Sequence, residues 1–340
     1  MKDIHPKVPV ISVVMPVLNV APFIKLAVKS VLDQTFKQFE MVVVDDGSTD
    51  GTIEALEPLR DDRLRVLKQA NSGSAAARNA GLRQTTAPYV AFIDGDDLWE
   101  PQMLATHLEF LGCHPEIDLS FSQSSVIDES GATTGRSSRR VSGYISFREL
   151  LIENFVHNGS AVVVRREALD KAGWFDVNLR AAVDHDVWLR VAIARVNNVY
   201  GIPKVLTFYR MRAGQVTKDW RRMEQSWRVL IEKMRRLAPG EVCAVETRAR
   251  SNLYRYLAYI AYESGEYSES WRLLAGALAI GFLHLVHDRR MWVLAAALTA
   301  RVLLPPKAHQ KLERFARAYR SRERMPAKGA ERMRQVQRTI

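Results

Sequence analysis

Cysteine is close to absent from this chain. Its 340 residues include two, Cys113 and Cys243, far apart and at no spacing a metal would use. That excludes a disulfide-stapled scaffold and a zinc module, and it fits a reducing compartment. Long apolar runs are missing as well. Residues 1–9 hold no segment of signal-peptide length. Residues 291–304 are apolar apart from Thr299 and Arg301, but fourteen residues fall short of the ~20 needed to cross a bilayer. Excess charge is lacking along most of the chain and concentrated at one end. The net charge is +11, and residues 305–340 carry eleven Lys or Arg against three Glu, a net +8. The apolar share of 47% is ordinary for a globular protein and permits a full core. The length suits one large domain or two medium ones.

What is present is a pair of acidic clusters, Asp45-Asp46-Gly47-Ser48-Thr49-Asp50 and Asp94-Gly95-Asp96-Asp97. Each follows an apolar run, Met41-Val42-Val43-Val44 and Tyr89-Val90-Ala91-Phe92-Ile93. Short apolar runs that end in polar turn residues predict buried strands of a parallel sheet. Ligands of such sheets bind beyond the carboxyl ends of the strands, so both clusters are expected to face one crevice. Crowded carboxylates are costly unless a cation or a hydrogen-bonding ligand sits among them.

Residues 10–15 predict a first strand, ended by Pro16. A helix follows in which Ile24, Ala27, Val28, Val31 and Leu32 share one face. Strands over 39–44, 64–67 and 89–93 alternate with helices over 49–59 and 71–82. This alternation predicts an α/β fold with a doubly wound, mostly parallel sheet flanked by helices. Beyond it the pattern gives a helix over 101–111, a strand over 117–122, a hairpin turn at Glu129-Ser130-Gly131, a mobile loop over 133–142, a strand over 161–164, a helix over 184–195 and an extended stretch over 199–209. From about residue 218 the sequence is all helical, with helices over 220–237, 242–264, 268–280 and 291–304. The expected division is a catalytic domain over 1–217 and a helical C-terminal region over 218–340 with a basic tail.

Several residues carry chemistry in more than one way. Asp94 and Asp96, at i and i+2, share one face of extended backbone. Two hard oxygen donors there suit Mg²⁺ or Mn²⁺, with substrate phosphates completing the shell; the same spacing suits a turn capping the next helix. Asp45 or Asp46 can accept from a base or ribose, or close an Asx-turn. Asn71-Ser72-Gly73-Ser74 opens a helix whose N–H groups could hold phosphate or simply be capped, with Arg78 one turn further on. Asp184 and Asp186 lie in the first turn of a helix, where they complement the macrodipole or supply a general base. His185 between them reads as a surface or satisfied histidine. Arg210 and Arg212 suit bidentate pairing to a diphosphate, or a surface ion pair.

Taken in order, Ile11-Ser12-Val13-Val14-Met15-Pro16-Val17-Leu18-Asn19, Ser30-Val31-Leu32-Asp33-Gln34-Thr35, Val44-Asp45-Asp46-Gly47-Ser48-Thr49-Asp50-Gly51-Thr52, Ala77-Arg78-Asn79-Ala80-Gly81 and Phe92-Ile93-Asp94-Gly95-Asp96-Asp97 resemble the signature of family-2 glycosyltransferases. Gly173-Trp174-Phe175-Asp176 and the stretch from Asp184 to Arg190 continue the resemblance, which covers about residues 10–217. It implies a GT-A fold, an inverting reaction and a nucleotide-sugar donor, UDP-linked by preference, with a divalent cation, Mn²⁺ or Mg²⁺, as cofactor. Carried across by position, it implies that Pro16, Val17 and Asn19 line the nucleotide pocket and that Asp46, beside Asp45, accepts from the pyrimidine. Asp94 and Asp96 match the metal-binding DxD, with Asp94 nearer the ribose, and Asp184 matches the general base.

The chain also departs from the family pattern. Val183 replaces a usual Glu, which keeps Asp186 as an alternate base, and Arg212 stands where many members have a His. The Gln-x-x-Arg-Trp motif of processive synthases is absent, which argues for adding a single sugar. The acceptor implied is a glycan, free or lipid-linked, in polysaccharide or cell-envelope synthesis, and the hairpin and loop over 124–144 are expected to shape its site. Residues 291–338 are candidates to meet an anionic membrane surface, which would put a cytoplasmic protein on the inner face of the membrane; no nucleic-acid partner is expected. Residues 252–280 resemble one tetratricopeptide unit, although a plain helical hairpin suits one isolated unit better. Two alternatives remain: a nucleotidyltransferase, and a non-catalytic scaffold with a degenerate transferase domain.

Overall fold

The computed structural model describes residues 8–212, 215 and 218–303. Strand β1 (Ile11–Val17) is buried along its whole length. It lies between β2 (Phe39–Asp45) and β4 (Tyr89–Phe92), and it is parallel to both. β3 (Leu64–Lys68) extends the parallel set beyond β2. The register pairs Val17 with Asp45 and Val14 with Phe92. The carboxyl ends of these strands therefore stand level, and the turns that follow them emerge along one edge.

Past β4 the sheet becomes mixed. β9 (Val162–Arg165) runs antiparallel between β4 and β6 (Leu119–Ile127), and β10 (Val199–Arg210) returns parallel to β6. The reversed direction of β9 brings its amino end, the 3₁₀ turn Gly159–Ala161, to the edge where Asp94 emerges. Three short strands complete the sheet. β5 (Leu98–Trp99) and β8 (Gly143–Tyr144) pair with β10, and β7 (Thr133–Ser137) pairs with β6.

Both faces are covered, as a parallel sheet requires. Helices α1 (Ala21–Leu32) and α3 (Met103–Cys113) close one core over Ile11, Val13 and Met15. On the other face, α2 (Ser74–Arg83), α4 (Phe147–Ile152), α5 (Arg166–Ala172) and α6 (Val183–Ala194) pack over Val14, Phe92 and Trp188. Four helices follow: α7 (Trp220–Leu237), α8 (Pro239–Glu263), α9 (Tyr267–Leu285) and α10 (Arg289–Leu303). Trp227, Leu230, Ile231 and Met234 of α7, with Val242 and Ala249 of α8, belong to the same core as Val14 and Phe92. α8 and α9 form a helical hairpin turned at Gly265 (φ +79°), held by Ser251 Oγ to Ala277 O at 3.0 Å and Ser270 Oγ to Ala258 O at 2.7 Å.

Three sequence expectations change. The helix over 49–59 shrinks to one 3₁₀ turn, Glu54–Leu56. Asp50 and Thr52 direct their side chains to the backbone N–H groups of Ala21 and Val20 instead, where they secure the start of α1. The loop over 133–142 contains β7. Helices α4 and α5 were not anticipated, although Ser146 and Glu149 form a reciprocal capping box at α4. The basic stretch 305–340 lies outside the described residues. Among those described, no helix is long and apolar enough to cross a membrane, and Cys113 and Cys243 are free and exposed.

Candidate active site

The turns after β1 and β2 are sewn together. Asn19 (φ +52°) accepts from the Thr49 N–H through Oδ1 at 2.9 Å, and its own N–H donates to Ser48 Oγ at 3.0 Å. Asp46 is held as tightly. Its Oδ1 accepts from Gln69 Nε2 (2.7 Å) and Ser72 N (2.8 Å), and its Oδ2 from Gly73 N (2.8 Å). The amides that open α2 therefore point at Asp46, which fixes that turn. Asp45 Oδ1 accepts from Ser48 N, three residues on, at 3.0 Å, and Asp45 does not line the cavity described below.

Arg78 is the hinge of the site. Its neighbour Asn79 clamps the Phe175 backbone, donating to O at 2.8 Å and accepting from N at 3.1 Å. The Phe175 ring lies under the Arg78 guanidinium, 5.5 Å from its centroid, and Arg78 Nη2 reaches Asp94 Oδ1 at 2.6 Å. Two motifs distant in sequence, Arg78-Asn79 and Gly173-Trp174-Phe175-Asp176, thus build one support.

The DxD turn sits tightly on β1. A Cβ on Gly95 would lie 2.7 Å from Val17 Cγ1, so only glycine lets Asp94 and Asp96 approach the β1 edge. Asp96 Oδ2 accepts from Arg212 Nε at 2.5 Å. Burial, followed by the charge of Asp94, holds the Asp96 carboxyl above its usual range despite Arg212. Asp97 is fully buried and raised further, first by burial and then by Asp96 and Asp94. It accepts from Ser160 Oγ (2.5 Å) and Arg210 N (2.9 Å), while Ser160 Oγ accepts from Asp94 N at 3.0 Å.

Arg210 does not meet the expectation of a diphosphate ligand. Its side chain is buried, donates to the carbonyls of Asp96, Asp128 and Glu129, and is not among the residues lining the cavity. β10 ends at Arg210, so Arg212 is not held in the alternation that would have aimed both guanidinium groups the same way.

Asp184 and Asp186 are separated in the same manner. Asp184 lines the cavity and accepts from the His185 N–H at 2.9 Å. Asp186 is fully buried, paired with Arg190 (2.6 Å) and Lys233 (3.1 Å), and Lys233 also pairs with Asp176 at 2.8 Å. His185 is a satisfied core histidine, its Nε2 2.9 Å from Leu150 O. Val183 turns its side chain into the core.

Pro16, Val17, Asn19, Asp46, Arg78, Asp94, Asp96, Asp184 and Arg212 line one open cavity of about 3510 Å³. The base candidate and Arg78, the partner of Asp94, approach each other across Gly159: a Cβ there would lie 3.7 Å from Arg78 Nη2 and 3.9 Å from Asp184 Oδ2. Among the described residues no cluster of three or more metal-ligating side chains occurs. Asp94 and Asp96 nevertheless fit Mg²⁺ or Mn²⁺, which need only one or two carboxylates when phosphates and water fill the other positions. Burial and the neighbouring Asp94 charge, which raise the Asp96 carboxyl despite Arg212, are penalties that a bound cation would relieve. Arg136, from the hairpin and loop over 124–144, lines the same cavity, but sequence reasoning missed the rest of the far wall, where His157 (φ +69°), Tyr256, Tyr259 and Arg290 stand. They belong to no local motif.

Comparison with known proteins agrees with this geometry. The model of the glycosyl transferase family 2 domain matches residues 12–173. TuaG of Bacillus subtilis (strain 168), which carries the name teichuronic acid biosynthesis glycosyltransferase, is 31% identical over 234 residues, covering 66% of this chain and 88% of TuaG. Other relatives, such as the uncharacterized glycosyltransferase RC0461 of Rickettsia conorii (33% identical), match 61% of this chain but 34% of their own length. Among solved structures, S. aureus TarS 1-349 in complex with UDP-GlcNAc superposes with a TM-score of 0.60 at 20% identity, covering 79% of this chain and 81% of that one. The mannosyltransferase PcManGT from Pyrobaculum calidifontis, in complex with GDP-Man and Mn²⁺, gives 0.58 at 21% identity over 92% and 86%. The sheet and its helices are the GT-A fold, and the chain belongs to glycosyl transferase family 2.

Proposed function

We propose that this enzyme transfers one sugar from a nucleotide-sugar donor, UDP-linked by preference, to a hydroxyl of a glycan, free or lipid-linked, with inversion at the anomeric carbon. The observation that carries this reading is the convergence of Asp46, Arg78, Asp94, Asp96 and Asp184 on one cavity. The names of TuaG and of the UDP-GlcNAc and GDP-Man complexes support a nucleotide-sugar donor and a role in cell-envelope polysaccharide synthesis.

In this reading the nucleoside lies against Pro16, Val17 and Asn19, with its base at Asp46. Asp184 accepts the proton of the acceptor hydroxyl as that oxygen attacks the anomeric carbon. The nucleoside diphosphate leaves from the opposite face, so one carboxylate suffices and no covalent sugar intermediate forms. Asp94 and Asp96 would hold Mn²⁺ or Mg²⁺, which supplies positive charge for the departing diphosphate. Arg212, already against Asp96, adds charge on the same side. Arg78 fixes Asp94 and keeps the donor end of the cavity in register with Asp184.

A membrane role rests on the α9–α10 corner, where Phe282, Leu283, Trp292 and Val293 are exposed. Apolar side chains followed in sequence by the +8 stretch 305–340 suit the inner face of an anionic bilayer, where a lipid-linked acceptor would be met.

The test is a panel of nucleotide sugars with and without Mn²⁺, reading the released nucleotide. Nucleoside diphosphate from one donor is the expected product. Pyrophosphate would mean nucleotidyl transfer, and no release from any donor would end the reading.

A further inference from the structure

The cavity is much larger than its donor end needs. Pockets that enclose a drug-sized molecule measure ~300–1,000 Å³, against about 3510 Å³ here. The surplus runs from Asp184 along α8 and α10, and its wall is rich in arginine. Arg139, Arg255 and Arg290 share two carboxylates. Arg139 pairs with Glu153 at 3.3 Å, Arg255 with Asp288 at 3.2 Å, and Arg290 with both, at 3.0 Å to Asp288 and in close contact with Glu153. Burial, followed by the charge of Arg290, pushes Arg255 below the usual arginine value, as expected where cations outnumber their counter-charges. Arg140, Arg180 and Arg289 line the same cavity and pair with no carboxylate among the described residues.

Aromatic groups interleave with these cations. Tyr256 and Tyr259 of α8 line the wall, and the Arg136 guanidinium lies 5.9 Å from the Tyr259 ring centroid while donating to Tyr259 Oη at 3.0 Å. Phe155, also on the lining, carries Arg139 over its ring at 5.2 Å. Flat rings offer apolar faces to the C–H faces of pyranoses, and guanidinium groups between them bind carboxylate or phosphate bidentately. A nearly neutral first 304 residues makes this excess of arginine over Glu153, Glu263 and Asp288 a local feature of the cleft rather than a consequence of net charge.

We propose that the wall formed by α8, α10, residues 136–140 and Arg180 is an acceptor subsite for an anionic saccharide chain, bearing carboxylate or phosphate groups, that delivers a hydroxyl to Asp184. The proposal rests on the glycosyl-transfer reading above and adds the acceptor's chemistry. The anionic groups occupy positions beyond the reacting sugar, where Arg140, Arg180 and Arg289 take them without breaking an existing ion pair.

The test measures binding and transfer for three oligosaccharide probes: an oligogalacturonate, its carboxyl-reduced neutral counterpart and an oligo(glycerol phosphate). The parent enzyme is expected to favour one of the anionic probes over the neutral one by at least ~10-fold, the worth of one charge-assisted contact. The preference should collapse as salt rises. Which anionic probe wins identifies the group recognised. In the triple variant Arg140→Gln/Arg180→Gln/Arg289→Gln the anionic-to-neutral ratio should fall toward unity. These side chains make no ion pair among the described residues, so its melting temperature should match the parent. The single variant Tyr259→Phe, which removes the hydroxyl that Arg136 holds, provides a second reading of the same wall. Equal use of neutral and anionic probes, or a triple variant with the parental ratio, overturns the proposal. Release of nucleoside diphosphate alongside equal use would overturn this proposal alone; absence of release with every donor would overturn the transferase reading instead.

Discussion

Arg78 Nη2 donates to Asp94 Oδ1 at 2.6 Å, and it does so from over the ring of Phe175, a residue ninety-seven positions along whose backbone Asn79 clamps on both sides. The DxD turn is therefore held from outside its own loop. Replacing Asn79 with Ala leaves the buried Phe175 N–H and C=O without partners, which should cost about 1–3 kcal/mol in urea unfolding. Donor affinity should fall with it, because Arg78 loses its platform. Parental stability in Asn79→Ala would show that the clamp is redundant.

Asp184 and Asp186 should separate by phenotype. Asp184→Asn is expected to lower kcat roughly 100- to 10,000-fold, the usual worth of a positioned base, with donor affinity by calorimetry retained. Asp186→Ala removes the buried partner of Arg190 and Lys233 and should destabilise by about 3–5 kcal/mol. Full turnover in Asp184→Asn would strip that residue of its assigned role.

Chelation should abolish transfer and Mn²⁺ or Mg²⁺ should restore it, with Asp96→Asn losing metal-dependent donor binding. Full activity in excess EDTA would defeat the metal assignment. The pH dependence has a definite sign. Asp96 is held above the usual carboxylate value, so it takes up a proton, and metal affinity falls, while pH is still above the ordinary carboxylate range.

Stability of the metal-free protein should move the other way. A raised carboxyl in the folded state binds its proton more tightly than the unfolded chain does. The contributions of Asp96 and Asp97 thus improve as pH falls through their folded values and are complete below the unfolded value. Asp50 and Asp61 oppose this. For Asp50, burial raises the carboxyl but hydrogen bonds from Thr52 and Ala21 outweigh it; for Asp61, the Arg63 hydrogen bond lowers it. Their stabilisation is present above the unfolded value and lost as pH falls through the folded one. Comparing Asp97→Asn with the parent in urea between neutral and mildly acid pH isolates the first effect.

Gly81 lies on the face of α2 that meets β1 and β2. A Cβ there would collide with Val14 Cγ1 and crowd Val44 Cγ2 at 3.3 Å. Gly81→Ala should therefore cost about 1–3 kcal/mol by overpacking, even though alanine is the better helix former. An unchanged denaturation midpoint would mean that α2 can slide outward freely.

Flotation with phosphatidylglycerol-containing vesicles should recover the full chain, and pure phosphatidylcholine vesicles should not. Trp292→Ala combined with Phe282→Ala should weaken recovery. Equal behaviour on both lipids would remove the membrane assignment.

The strands around the site were legible because Val42, Val43, Ala91 and Phe92 form short apolar runs that stop at turn residues, and because Asp94-Gly95-Asp96 follows one of them. Arg210 was misread because alternation holds only while the strand continues, and β10 ends there after register shifts at Val205 and Thr207. Residues 49–59 were misread because Asp50 and Thr52 serve the backbone of a loop thirty residues earlier, a partner that local pattern cannot reveal. The capping box Ser146 to Glu149 is a readable sequence signal for the start of α4. Of the arginine and tyrosine wall only the loop over 124–144 was legible, as a shaper of the acceptor site; the rest had no signal, since Arg180 and the residues of α8 and α10 meet it only in three dimensions.

The helices after residue 218 are fused into the folding unit: Leu230 and Met234 fill the hydrophobic interior that also contains Phe92 and Trp188. Cutting the chain after Arg212 would not release a trimmed catalyst but an unfinished one, with raw apolar surface and the Asp186 carboxylate stripped of Lys233. Nor can this region be exchanged as a cassette without disturbing that interior. Any graft that altered the acceptor wall would have to be bought together with a rebuilt interior, so specificity and foldability are inherited as one trait.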